Sequence, residues 1–454
     1  MKILIIGAGR VGSELVDVLS YEDAEILVID KDSGNLPSLK KSNVSYINKD
    51  ILDGDTLNEI DFSSFEYVLA VTNKDRTNIL IASLTKNLST KTIIRLNIVD
   101  SLDEIEYLKK SLNIYEIVNP EYEVGKFIKN IIGNSSYYTA DYFGKGKIEV
   151  AGHLVDTDGE FDNIALKDIG SLATILVVAI LRDGKFFTPN GQTILQKGDY
   201  LYLMGLSKDI SNFKMEHFLI KSTRKSRDVT IIGGNLITNT MISEIEDINL
   251  KIIEEDSKKV RLFRDKIPKA FVVNRPYRDE NLLNEENIRE DSIFISMTDN
   301  DELNIVLGLM AKSLRIERTI ISLNTNIYSK ILDPLNMYSH VEPFTVMANE
   351  IVNKVSQGSK ISVNFMFAGK AQVFEISTSE KFPHINKKIK EMNIPKGIII
   401  GGIIRSDGLA IIPRGETIIE KNDKLVVFCT DDKKEELKNF IDTKKKNYFS
   451  SLFK

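Results

Sequence analysis

The chain is poor in the residues that build cross-links and metal sites. It has one cysteine, Cys429, so no intrachain disulfide can form, and a reducing compartment suits it best. Four histidines (His153, His217, His340 and His384) beside that single thiol argue against a Cys/His metal site. Long hydrophobic runs are missing as well. The longest, Leu172 to Leu181, is about half of what a bilayer span requires. The N-terminal run Ile3-Leu4-Ile5-Ile6 meets glycine at once with no cleavage pattern behind it, which argues against a signal peptide. Charge of one sign is not in excess either. Sixty Lys and Arg stand against 65 Asp and Glu, a net charge of −5 that gives no general pull toward nucleic acid or an anionic lipid surface. These absences predict a cytoplasmic protein without direct membrane insertion, whose membrane role, if it has one, runs through a partner.

What is present is ordinary folded-protein composition, 42% hydrophobic and 28% charged. A length of 454 residues predicts three or four domains. The clearest signal is an internal repeat. Val71-Thr-Asn-Lys-Asp-Arg-Thr-Asn78 recurs as Met297-Thr-Asp-Asn-Asp-Glu-Leu-Asn304, and Ile5-Ile6-Gly7 as Ile231-Ile232-Gly233, both at an offset of 226. Further on, the Asp-Gly…Pro-x-Gly pattern from Asp183 to Gly191 returns from Asp407 to Gly415 at an offset of 224, and Asp199 and Asp423 share that offset. The chain is therefore two copies of a two-part module.

The first part of each copy alternates strands and helices. In the first copy Lys2–Ile6, Glu25–Ile29, Val44–Ile47, Tyr67–Val71, Lys91–Leu96 and Glu116–Val118 read as strands, with helices over Gly12–Leu19, Asp75–Leu88 and Tyr122–Ile132. Apolar β-branched runs separated by helices predict an α/β fold with a doubly wound parallel sheet of the Rossmann type. The second part turns to strands and tight turns, with a hairpin at Arg182-Asp183-Gly184-Lys185, and reads as a small α+β domain. The expected boundaries are 1–134, 135–221, 228–357 and 358–440. The polar, basic run Lys221 to Asp228 is the expected linker between copies rather than a nucleic-acid face.

Gly7-Ala8-Gly9-Arg10-Val11-Gly12 is a G-x-G-x-x-G between a predicted strand and a predicted helix, with Asp30 at the end of the next strand. That context is the dinucleotide fingerprint. Gly7 permits the turn, Gly9 lets backbone approach a pyrophosphate, and Gly12 lets helix and strand pack closely. The helix N-terminus offers free N–H groups to the phosphates, and Asp30 can accept from both ribose hydroxyls, which favours a free 2′-OH. Other strand-end positions, Asp50, Thr72, Asn73 and Arg95, line the same crevice. Arg10 and Arg95 can each donate to a terminal phosphate. The second copy is degraded: in Gly233-Gly234-Asn235-Leu236-Ile237-Thr238 the second and third glycines are Asn235 and Thr238, although Glu254 keeps the ribose acid. That site is expected to be weak, altered or vacant.

On these residues the chain resembles the TrkA family, cytosolic regulators of bacterial Trk potassium transporters built from two RCK (KTN) domains, each followed by an RCK-C domain. The resemblance covers everything but the last dozen residues. It implies Rossmann-like domains pairing into a homo-oligomeric ring at the inner face of the cell membrane, beneath a Trk-type channel subunit. It also implies NAD(H), ATP or ADP as regulatory ligand, held by Gly7, Ala8, Gly9, Arg10, Val11, Asp30, Thr72, Asn73 and Arg95. Related RCK-C domains bind a cyclic dinucleotide or an ion, and no residue pattern here selects either.

The alternative from another class is an NAD-dependent oxidoreductase. Tyr122-Glu-Val-Gly-Lys126 has the Y-x-x-x-K spacing of a dehydrogenase pair, but it opens the helix after the sixth strand and reads as an exposed turn. The basic, aromatic tail from Lys444 to Lys454 reads as a frayed end, with contact to lipid headgroups or the channel as the sharper option.

Overall fold

The computed structural model describes residues 1–20, 24–32, 34, 43–97, 102–133, 140–144, 146–155, 161–170, 174–182, 185–217, 228–316, 318–325, 328, 332, 340–355, 361–366, 371–380 and 382–441. The expected linker residues 221–227, the basic tail and the two turn residues Asp183 and Gly184 lie outside them.

The first copy runs β1 (Lys2–Ile6), α1 (Arg10–Leu19), β2 (Glu25–Asp30), β3 (Val44–Asn48), α2 (Gly54–Glu59), β4 (Tyr67–Ala70), α3 (Asp75–Thr85), β5 (Lys91–Arg95), α4 (Leu102–Ser111), β6 (Glu116–Val118) and α5 (Pro120–Gly133). The six strands form one parallel sheet in the order β3-β2-β1-β4-β5-β6. The order reverses between β1 and β4, so a crevice opens at their carboxyl ends. Strand ends fall within a residue of the sequence reading. The last helix begins two residues earlier, because Pro120 at the first helical position lacks only an N–H that would be unpaired anyway.

The small domain that follows contains β7 (Ala140–Phe143), β8 (Ile148–Leu154), β9 (Ile175–Arg182), β10 (Lys185–Phe187), β11 (Tyr200–Leu206) and α6 (Ser207–His217). Its strands make an antiparallel sheet, order β10-β9-β11-β8-β7, and Lys185 pairs with Arg182 as the hairpin signal required.

The second copy repeats the plan. β12 (Asp228–Gly233), α7 (Leu236–Ser243), β13 (Asn249–Glu254), α8 (Ser257–Lys266), β14 (Phe271–Asn274), α9 (Leu282–Glu285), β15 (Ile293–Met297), α10 (Asp301–Ser313), β16 (Arg318–Ser322), β17 (His340–Val341) and α11 (Pro343–Val355) build a parallel sheet, order β14-β13-β12-β15-β16-β17. β18 (Ile361–Met366), β19 (Ala371–Ser377), β20 (Ile398–Ile404), β21 (Ala410–Ile411), β22 (Lys424–Thr430) and α12 (Lys434–Ile441) give the second antiparallel sheet, order β18-β19-β22-β20-β21.

The chain does not divide copy from copy. One compact unit gathers Met1–Ile132, Ser226–Tyr328 and Ser339–Gln357, which holds both parallel sheets; the other holds both antiparallel sheets. Within the first unit the two copies exchange their last helices. Val124, Ile128, Ile131 and Ile132 of α5 are buried in the core of the second copy's sheet, beside Ile231, Ile252 and Ile295. Conversely, α11 packs on α1 and β6 of the first copy, burying Met347, Ala348, Ile351 and Val352. Both exchanged helices bury several apolar side chains, and burying a large aliphatic side chain contributes about 1.5–3 kcal/mol, which holds the two copies together. The crossing is close: a Cβ on Gly125 of α5 would stand 2.8 Å from Met241 Sδ of α7.

In the second unit, Phe143, Ile148 and Met204 of one small sheet share a core with Ala371, Val373 and Phe428 of the other. The repeated aspartates have a structural role here. Asp199, fully buried, accepts from Arg182 at 2.6 Å and from the Gln196 N–H at 2.8 Å; Asp423 does the same with Arg405 and the Glu420 N–H at 2.6 and 2.8 Å.

Candidate functional site

The crevice at the β1/β4 reversal is built first from glycine. Gly7 has a φ of +105°, open to glycine at little cost, and a Cβ there would lie 3.0 Å from the Thr72 nitrogen. A Cβ on Gly12 would fall 1.9 Å from the Gly7 carbonyl oxygen, so α1 enters in direct backbone contact with the glycine turn. Gly9 differs from both. It is the N-cap of α1 with no side-chain cap, and a Cβ there would meet no atom within 4 Å. The start of α1 thus has no side chain capping it and open space beside its N-cap, where a phosphate could approach.

Around that opening stand the other strand-end residues. Asp30, last in β2, accepts from the Ala8 N–H at 2.5 Å and from the Asp32 N–H at 2.8 Å, so its carboxylate is held at the lip of the glycine turn. Asp50 follows the adjoining β3, accepting from the Leu52 N–H at 3.0 Å with Lys31 3.9 Å away. Thr72 and the exposed Asn73 follow β4, and Arg95 ends β5. Val11 is buried behind the turn.

The repeated V-T-N-x-D-x-x-N run is the frame of this edge. Asn78, fully buried, accepts from the Thr72 N–H and hydroxyl at 3.2 and 2.7 Å and donates to the Thr72 and Arg95 carbonyls, each at 2.9 Å. Asp75 accepts from the Asn97 N–H at 2.9 Å. Asn304 and Asp301 repeat every one of these bonds on Thr298, Ser322 and Asn324. Within the repeated run, Asn78 and Asp75 thus form a clamp that fixes the β4 and β5 ends.

The two arginines converge on a residue the sequence reading did not single out. The guanidinium carbons of Arg10 and Arg95 lie 5.4 and 5.3 Å from the ring centroid of Phe344, the second residue of α11 in the other copy. Arg10 also donates to Thr325 at 3.0 Å, and Arg95 to Asn97 at 3.3 and 3.2 Å. Burial pushes the Arg95 pKa down, and the Asp75 charge offsets this only in part. A half-buried guanidinium carries an unmet demand for negative charge, which an anion can supply.

Beside Phe344, the Thr345 hydroxyl lies 3.1 Å from both Glu14 Oε1 and Glu342 Oε2. One hydroxyl has one proton to give. Burial, then the nearby Glu342 and Asp17 charges, push the Glu14 pKa up to about 7, against the pull of Thr345 and Arg10. With a folded pKa above the unfolded one, the native state binds more protons between about 4.5 and 7, so stability falls as pH rises through that window. Glu14→Gln is expected to match the wild type at pH 4 and to be more stable by on the order of 2 kcal/mol at pH 8.5, measured by urea denaturation at both.

The second copy's equivalent turn has the same glycine entry, but its helix start is capped by its own side chain. Gly233 and Gly234 have φ of +79° and +88°, and the Gly234 N–H is spent on the Met297 carbonyl at 2.9 Å. The Asn235 side chain caps α7, accepting from the Thr238 N–H at 2.8 Å, the place a phosphate oxygen takes. Thr238 is fully buried and donates to the Glu121 carbonyl of α5 at 2.7 Å. Glu254 is only 1% exposed and accepts from the Asp256 N–H; Tyr277 lies against it, its pKa pushed up by burial, then by its hydrogen bond to Glu254 and the Glu254 charge.

The Tyr122 N–H donates to Asn119 at the start of α5, and Lys126 lies 3.6 Å from Glu123 and 3.8 Å from Glu350 of α11.

The domain profile described as the TrkA-N domain matches residues 3–120 and 229–343, and the TrkA-C domain matches 150–216 and 373–442. The chain belongs to the TrkA family. It is similar to the Trk system potassium uptake protein TrkA of Haemophilus influenzae, 27% identical over 445 residues, covering 95% of this chain and 96% of that one. It is also similar to TrkA homolog 1 of Methanosarcina mazei, 25% identical over 441 residues, covering 94% and 97%. Among solved structures, the GsuK RCK domain aligns with a TM-score of 0.54 at 17% identity, covering 97% of this chain and 94% of that one. The GsuK channel bound to NAD aligns with a TM-score of 0.53 at 17% identity, covering 97% and 78%. These structural likenesses establish a shared fold of tandem RCK type. No helix among the described residues is long and apolar enough to cross a membrane.

Proposed function

We propose that this TrkA-family chain is a regulatory subunit of a Trk-type potassium uptake system, sensing a nucleotide through the first copy alone. The observation that carries the reading is the contrast between two equivalent helix starts. α1 begins at an uncapped Gly9 facing open space, whereas α7 begins at Asn235, which caps it from within. Gly7, Ala8, Gly9, Arg10 and Val11 would hold the phosphates, with Gly12 letting α1 close on the turn. Asp30 and Asp50 would meet the nucleoside, and Thr72, Asn73 and Arg95 the far side. Gly233, Gly234, Asn235 and Glu254 then serve folding.

NAD(H) and ATP or ADP are the ligands this crevice suits. The Asp30 carboxylate accepts from ribose hydroxyls and repels a 2′-phosphate, so NADPH is expected to bind at least tenfold more weakly than NADH in a fluorescence titration. The role is regulatory rather than catalytic, exercised on a channel subunit at the inner face of the cell membrane by a ring of these chains. A ligand moves such an assembly only through its different affinities for the two states. The test is rubidium uptake in cells lacking their own potassium uptake, supplied with this chain and the membrane subunit from its organism. The reading predicts uptake that depends on this chain and is altered by Gly9→Asp; uptake indifferent to the chain would refute it.

A further inference from the structure

Phe344 has no counterpart in the fingerprint and comes from the other copy, yet both candidate phosphate-reading arginines rest on it. We propose that the Phe344 ring competes with a nucleotide's terminal phosphate for Arg10 and Arg95, and so sets how strongly the first crevice prefers a triphosphate over a diphosphate. The inference rests on the nucleotide reading above and adds its selectivity element.

Three observations carry it. First, one ring takes two guanidiniums, at 5.4 and 5.3 Å, and those are the two at the mouth of the crevice: Arg10 one residue beyond the uncapped Gly9, Arg95 at the end of β5. Second, among the described residues the hydrogen bonds of the two arginines go to neutral side chains, Thr325 for Arg10 and Asn97 for Arg95, and neither is in a salt bridge that an arriving anion would have to break. Third, the Arg95 charge is poorly compensated where it lies. A guanidinium on an aromatic face is held weakly compared with one on a phosphate, which offers bidentate, charge-assisted hydrogen bonds. A phosphate that reaches the pair therefore draws the arginines off the ring. A nucleotide one phosphate shorter leaves them there.

The position of Phe344 extends the consequence. It lies in the first turn of α11, which packs along α1, and the chain proceeds from α11 into its last subdomain. Release of the arginines frees the start of that helix. The first copy has Glu121 at the equivalent place after Pro120, and the second copy has Leu236 and Ser322 where Arg10 and Arg95 would be. The device exists once per chain.

The experiment uses the full chain and two substitutions. Phe344→Leu keeps an apolar side chain without the π face; it is expected to tighten ATP about fivefold while changing ADP less than twofold, by calorimetry. Phe344→Trp introduces the sole tryptophan of a chain that has none, and its emission is expected to shift on saturation with ATP but not with ADP. Equal ATP-to-ADP affinity ratios in wild type and Phe344→Leu, with both nucleotides bound, would overturn the competition while leaving the nucleotide site intact. Failure of the wild type to bind either would remove the nucleotide reading and the inference with it.

Discussion

Replacing Gly9 by aspartate is expected to lower nucleotide affinity at least 100-fold while leaving the protein as stable as the wild type. The two halves of that result have separate causes. Gly9 has a φ of −63°, a conformation any residue adopts, and its added Cβ meets nothing within 4 Å, so no clash opposes folding. Aspartate is also a good N-cap, and its carboxylate would accept the free N–H groups at the start of α1. That same occupancy is what defeats the ligand. The carboxylate fills the phosphate position, and like charges about 4 Å apart at an effective dielectric of 20 repel by roughly 4 kcal/mol, more than a hundredfold in affinity. The variant would thus do to the first copy what Asn235 does to the second. Matched urea midpoints with lost binding is the expected outcome; a large loss of stability would mean that Gly9 serves the fold instead.

Asn78→Ala is expected to cost about 3 kcal/mol of stability and to weaken nucleotide binding as well. Four hydrogen bonds converge on that fully buried amide, and its removal takes a partner from the Thr72 N–H and hydroxyl and from the Thr72 and Arg95 carbonyls. The β4 and β5 ends would then drift, carrying Thr72 and Arg95 with them. Asn304→Ala removes the same bonds from the second copy. It should cost a similar amount of stability and leave affinity unchanged. Denaturation and titration of both variants check this, and equal losses of affinity would contradict a single working crevice.

Much of this was legible from residue patterns. The strands of both parallel sheets follow from apolar, β-branched runs, and the fingerprint at Gly7–Gly12 with Asp30 lies at the β1/β4 reversal as its spacing requires. The repeat from Val71 to Asn78 was visible, but its purpose was not. Spacing cannot distinguish a residue that touches ligand from one that clamps the residues that do, and the bonds of Asn78 and Asn304 place them in the second class. The exchange of α5 and α11 was out of reach for another reason. The periodicity of Val124, Ile128 and Ile131 says that one face of α5 is buried, and says nothing about which sheet buries it. Phe344 was missed as a consequence, because it reaches the first crevice on the exchanged α11; Thr325, just after β16, was missed because spacing does not show that the second copy meets Arg10. A signal for Phe344 did exist: it stands after Pro343 where the first copy has Glu121 after Pro120, an apolar ring at the place of an acid.

The measurement that bears most directly on the central claim is the stoichiometry of nucleotide binding to the intact chain, by calorimetric titration with NADH, NAD, ATP and ADP. One site per chain, lost in Gly9→Asp and kept in Asn235→Ala, is the predicted result. Two sites per chain, or binding that survives Gly9→Asp, would contradict it.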